Sequence, residues 1–252
     1  MKIIIGFFLI ILPFISLGST QEDLLNLSYS FLEHLQNKEN TADIVKTYSN
    51  LDLEELAKLI DNETEKKAFW INTYNAFVQQ ILLANQSLFD DRGKFFGNKQ
   101  VNIAGILMSF DDIEHGIIRS SRWKLSLGYL RDPFVPKFIR LLRTKKPDGR
   151  VHFALNCGAK SCPPIATFHA DKIENELDKI SKQYLKRTTK IDGSNITITP
   201  LMSWFRADFG GKKGIKKDFL QKFGIIHPDL KKINLSFGSY DWTLSLGNYT
   251  TL

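Results

Sequence analysis

Residues 63–84 read Glu-Thr-Glu-Lys-Lys-Ala-Phe-Trp-Ile-Asn-Thr-Tyr-Asn-Ala-Phe-Val-Gln-Gln-Ile-Leu-Leu-Ala, a run with neither glycine nor proline. Phe69, Trp70, Tyr74, Phe77, Val78, Ile81 and Leu82 put apolar side chains around most of a helical circumference. That pattern predicts a helix buried on nearly every side, around which the rest of the chain must pack. Asn72, Asn75 and, one turn on, Gln79 form a polar seam through it. A buried amide left unpaired costs about 1–3 kcal/mol, so these side chains either bond neighbouring loops or orient a site.

Upstream, Glu22 to Gln36 carries Leu24, Leu25, Leu27, Phe31, Leu32 and Leu35 at helical spacing. Thr41 or Asp43 caps a short helix ending near Tyr48, and Asp52 starts another that contains Leu56 and Leu59. Downstream, Phe95 to Met108 is broken by Gly97-Asn98 and Gly105, which predicts a hairpin or irregular strands. Val151 to Leu155, after the turn signal Pro147-Asp148-Gly149, predicts a short strand. Ala170 to Leu185 reads as an amphipathic helix, Lys190 to Thr199 as a strand pair turning at Asp192-Gly193, and Lys216 to Phe223 as a short helix. No repeat or linker divides the chain. The expected fold is α+β: one mostly helical domain with a few short strands.

At 43% hydrophobic and 24% charged residues, the composition excludes disordered, collagenous and coiled-coil classes. Lys2 followed by the uncharged, apolar run Ile3 to Leu17, with small residues at Ser16 and Gly18, reads as a secretory signal peptide over residues 1–19. No later segment is long and apolar enough to span a membrane, so an exported protein is expected: periplasmic, cell-surface or secreted. A helical segment over 20–60 then leads into a domain over 61–245. The net charge of +7 is concentrated between Arg122 and Arg150, where nine Lys/Arg face Asp132 and Asp148. Such a band suits an anionic small-molecule or polymer ligand, or is simply a solvated face. No aromatic-basic interleaving or motif points to nucleic acid.

Two segments carry reactive side chains. Asp111 to Ser120 predicts a helix on which Asp111, His115 and Arg119 share a face, with Glu114 about 100° round from His115. An acidic neighbour fixes a histidine tautomer and tunes its basicity. The second segment is His152 to Pro164, which holds both cysteines, Cys157 and Cys162. Three readings compete for the pair. They form a disulfide, as exported proteins favour, if the turn brings the two Cα atoms within about 7 Å. Cys157 is a nucleophile at a strand end, close to backbone N–H groups that stabilise an oxyanion. Or they bind zinc with His115, His152 or His169, although the usual second close Cys/His pair is missing, so no metal or other cofactor is expected. Strand parity turns His152 away from Cys157 and leaves His115 as the better base.

Several of these blocks resemble the domain-of-unknown-function 547 family. They are Phe69-Trp70-Ile71-Asn72-Thr73-Tyr74-Asn75-Ala76, Ile113-Glu114-His115-Gly116-Ile117-Ile118-Arg119, His152 through Pro164, Trp204 through Gly210, and Tyr240-Asp241-Trp242. The resemblance covers residues 60 to 245 and implies that Asn72, Asn75, Glu114, His115, His152, Cys157 and Cys162 belong to shared blocks. It implies no activity. The leading expectation is a thiol-dependent hydrolase or acyl transferase. Cys157 is its nucleophile, His115 the general base, Glu114 or Asp111 the orienting acid, and Asn72, Asn75, His152 and Cys162 give support. The alternative is a non-enzymatic, disulfide-stapled binding domain of the cell envelope or surface.

Overall fold

In the computed structural model, described over residues 20–230 and 232–252, the central helix runs Glu63–Ala84. The expected signal segment lies outside the described residues. Three helices precede the central one: α1 (Gln21–Asn37), α2 (Ala42–Asn50) and α3 (Leu53–Leu59), so the central helix is α4. Thr20 opens α1 with a reciprocal capping box to Asp23, and Asp52 and Asn62 cap α3 and α4 through their side chains. Phe69, Trp70, Tyr74, Phe77, Val78 and Leu82 are buried, as the pattern predicts, and Ile71 with them, whereas Ile81 is half-buried. Each such side chain contributes about 1.5–3 kcal/mol of burial. Phe31 of α1 meets Phe77 edge-on at 5.0 Å, and Tyr48 of α2 bonds Thr73 at 2.9 Å. The first three helices therefore belong to the core that α4 organises.

The strands are few and short. β1 (Val101–Ile103) and β2 (Ile106–Met108) form the expected hairpin, although its approach is the helix α5 (Arg92–Gly97) where irregular strand was expected. β3 (Lys190–Asp192) pairs antiparallel with β4 (Asn195–Ile198), and β4 pairs parallel with β5 (Asn234–Phe237). Between the two sheets lie α6 (Lys137–Leu142) and α7 (Ile173–Thr188), and two short helices, Leu201–Trp204 and Gly211–Gly214, follow β4. The fold is α+β. A first core surrounds α4 and α1; a second gathers Phe153, Tyr184, Ile196, Met202, Phe209 and Phe219.

Two local expectations are corrected. Val151 to Leu155 is not a strand: Gly149–Phe153 is a 3-10 turn, started by the Asp148 side chain accepting from the Arg150 N–H. Hydrogen bonds to α4 and a buried carboxylate, described below, hold the segment in place of a neighbouring strand. The parity argument that separated His152 from Cys157 loses its premise. The expected helix over Asp111 to Ser120 is wound as a π-helix over Asp112–Ile118, with Arg119 N–H on Glu114 C=O and Ser121 N–H on Gly116 C=O. Ile215–Gln221, which overlaps the last expected helix, is wound the same way. Among the described residues, no helix is long and apolar enough to cross a membrane.

Candidate functional site

The π-helix positions the site. Ile113, Ile117 and Ile118 anchor it in the core, leaving Asp111, Glu114 and His115 on the side facing a cavity of about 330 Å³. Glu114, the residue before the histidine, reaches it through its side chain. Its Oε1 is 3.5 Å from His115 Nδ1, while Asp111 Oδ1 is 3.4 Å from Nε2. Arg119 Nη1 lies 2.8 Å from His115 Nδ1. A guanidinium only donates, so Nδ1 is the acceptor and the proton of the neutral ring sits on Nε2. Lys124 binds both oxygens of Asp111 at 2.9 and 3.0 Å. Burial opposes the ionisation of Asp111, but His115 and Lys124 outweigh it and hold its carboxyl down at about 2.

Behind His115 the polar chain continues inward. Arg119 Nε donates to Asp208 Oδ2 at 2.6 Å, and His152 Nε2 meets the same oxygen at 2.9 Å. Burial opposes charge on Asp208; the His152 hydrogen bond and the charges of His152 and Arg119 overcome it and keep the carboxyl below its ordinary range. Burial pushes His152 below the usual histidine value, although the Asp208 bond pulls the other way. The Phe205 ring carries both partners, with the His152 imidazole stacked at 3.8 Å and the Arg119 guanidinium 4.5 Å from its centroid. Gly128, at φ +84°, closes over the pair, and a Cβ there would stand 2.6 Å from Asp208 Oδ1.

Aromatic rings line the same cavity as the acids: Phe96, Trp204, Phe205, Tyr240 and Trp242. Trp204 and Trp242 stack at 5.7 Å, with Tyr240 4.6 Å from Trp242. The Tyr74 hydroxyl donates to Glu114 at 3.3 Å, and burial together with the Glu114 and Asp111 charges pushes it well above the usual tyrosine range. The Glu114 side chain is only 16% exposed, yet among the described residues no lysine or arginine reaches ion-pair distance of it. His152 and Cys157 also line the cavity.

Cys157 and Cys162 form a disulfide with their Cα atoms 6.2 Å apart, which commits both sulfurs that a zinc site would need. Cys157 borders the cavity, whereas Cys162 is fully buried. The polar seam of α4 bonds loops. Asn72 pairs with both backbone groups of Phe168 at 2.8 and 2.9 Å, and Asn75 spans Ala154 C=O and Asn156 N–H at 2.9 and 2.8 Å. Neither borders the cavity; Asn75 fixes the segment that leads into Cys157.

Of the expected site residues, Asp111, Glu114, His115, His152 and Cys157 therefore meet around one cavity. The roles of Arg119, Asp208, Phe205 and the Tyr74–Tyr240–Trp242 wall are new. Their signal was available in the blocks Trp204 through Gly210 and Tyr240 through Trp242, which local chemistry alone left without a role. The basic band mostly bonds elsewhere: Arg150 pairs with Asp148, Glu174 and Asp178, and Lys137 with Glu54. Only Lys124 of that band borders the cavity, and Asp111 neutralises it.

Fold and site together define a mostly helical α+β domain with an aromatic cavity, an acid–histidine cluster and a disulfide in its wall. The family described as protein of unknown function, DUF547, matches residues 59–185, half of the chain, and the protein belongs to that family. No curated protein and no solved structure matches the chain.

Proposed function

We propose that the protein is an exported binding domain whose cavity takes a small organic cation, an amine or quaternary ammonium on an apolar body. The observation that carries this reading is Glu114, a mostly buried carboxylate that meets the His115 ring and the Tyr74 hydroxyl but, among the described residues, no lysine or arginine, and that lines one cavity with Trp204, Tyr240 and Trp242. A buried charge needs compensation, and a ligand cation would supply it. Rings lining the same cavity would add about 0.5–2 kcal/mol of cation–π attraction. Lys124 does not compete, because Asp111 holds it at the rim. The basic band favours an anionic ligand only if it reaches the cavity, and none of its members other than Lys124 lines it.

Calorimetric titration with choline, its neutral carbon isostere and benzoate tests the reading. Choline should bind at least about tenfold more tightly than the isostere, the equivalent of one charge-assisted contact, and benzoate should not bind. Equal binding of the neutral isostere, or preferential binding of benzoate, would overturn it. A second reading, with Cys157 as a nucleophile toward a bound acyl group, is favoured by its lining the same cavity as His115 and requires the reduced thiol.

A further inference from the structure

We propose that the Cys157–Cys162 bond is a reactive disulfide that exchanges with small thiols entering the cavity, Cys157 being the sulfur attacked and Cys162 the sulfur that leaves. This is independent of the charge of the ligand that the cavity prefers. Three observations carry it.

The two sulfurs differ in access. Cys157 borders the cavity, and Cys162 is fully buried behind it. An incoming thiolate meets Cys157 first, and in-line attack there expels Cys162.

The two sulfurs also differ in what would stabilise a negative charge. Cys162 Sγ accepts from the Cys157 backbone N–H at 3.1 Å and from the Tyr240 hydroxyl at 3.3 Å. The same hydroxyl is 3.7 Å from Cys157 Sγ. Burial pushes the Tyr240 hydroxyl far above its ordinary range, so it keeps its proton and remains a donor. Donors that favour a thiolate make it the better leaving group.

The loop does not depend on the bond for its shape. Lys160 and Ser161 N–H bond Thr243 and Asp241 C=O, and Ser245 N–H bonds Gly158 C=O. Asn156 ties both ends, through Nδ2 to Pro163 C=O at 2.7 Å and Oδ1 to Gly158 N–H at 2.9 Å. Gly158 takes φ +88° against Leu82 and Leu244, a position suited to glycine. A loop this short also gains less from a crosslink in the unfolded chain than a long one does. Opened, the thiols stay in place to close again.

The step balances. The thiolate sulfur of the incoming molecule bonds Cys157 Sγ, the Cys157–Cys162 bond breaks, and its electron pair remains on Cys162 as a thiolate. The thiol's own proton has gone to solvent. The incoming sulfur and Cys157 are then a mixed disulfide, which Cys162 or a second thiol resolves.

Native protein is treated with 2-mercaptoethanol, an uncharged thiol, alkylated with iodoacetamide and mapped by mass spectrometry. The expected product carries mercaptoethanol on Cys157 and the alkyl group on Cys162. Tyr240→Phe should exchange about tenfold more slowly, as loss of one hydrogen bond to a charged group implies. An adduct on Cys162, no exchange short of concentrations that abolish the folded circular-dichroism spectrum, or an unchanged rate in Tyr240→Phe would each overturn the proposal. Whether choline binds has no bearing on which sulfur carries the adduct, so the two readings fail separately.

Discussion

Nδ1 of His115 accepts a hydrogen bond from Nη1 of Arg119, 2.8 Å away and four residues on, at the C-terminal cap of the π-helix. The contact turns the histidine's acceptor inward and its Nε2–H toward Asp111 and the cavity. In this geometry His115 offers a ligand a donor. Service as a general base would require Arg119 to release Nδ1. Ring nitrogen shifts measured by NMR should therefore report an unprotonated Nδ1 in the neutral ring; a protonated Nδ1 would contradict the arrangement.

Arg119 and Asp208 are both almost wholly buried, and each is the other's charge partner. Removing one partner of such a pair strands the other, at a cost of about 3–5 kcal/mol. Asp208→Ala should lower the unfolding free energy by that order in urea titrations. Coupled with Arg119→Met, its effect should be smaller than the sum of the two single changes. Strict additivity would mean that the pair is not coupled in solution.

Gly128 and Gly105 offer a matched comparison, because both take positive φ, +84° and +69°. An alanine at 105 meets nothing within 4 Å, whereas at 128 it would run into Asp208 and Arg119. Gly105→Ala should incur only backbone strain of about 1 kcal/mol. Gly128→Ala should be clearly worse in thermal denaturation, and equal losses would argue against close packing over the ion pair.

The pH dependence follows from His152. Burial depresses its folded value below the ordinary 6.5, despite the Asp208 bond. Below 6.5 the unfolded chain takes up the proton before the folded chain does. Stability contributed by the neutral ring is therefore complete above that value and is lost as pH falls toward the depressed folded value. His152→Gln should be less stable overall but should lack this slope in the stability–pH profile. Asp111 adds a separate acid-side loss, since its folded value of about 2 lies under the ordinary 3.8. That contribution is present above 3.8 and disappears as pH falls through about 2.

The sequence was legible wherever one periodicity dominated. α4 declared its burial through an apolar circumference, and β3–β4 declared its turn through Asp192-Gly193. It was less legible where side chains from distant segments set the backbone. Val151 to Leu155 has strand-like residues, yet Asn75 from α4 bonds Ala154 C=O and Asn156 N–H, and Asp208 holds His152. Local propensity carries no trace of those partners. The same holds for the site. Asp111, Glu114 and His115 were visible as a local cluster, whereas Asp208 joins His152 across fifty-six positions and showed no local anomaly. The π-winding also escaped, because its apolar spacing at Ile113, Ile117 and Ile118 also fits an α-helix.

The most direct test of the central claim is the affinity ratio of choline to its neutral isostere in wild-type protein and in Glu114→Gln. The substitution keeps the shape of the side chain and its capacity to accept from Tyr74 while removing the charge. The account predicts that a preference of at least about tenfold in the wild type falls to near unity in the variant, with unfolding stability retained. A ratio that survives in Glu114→Gln would contradict it.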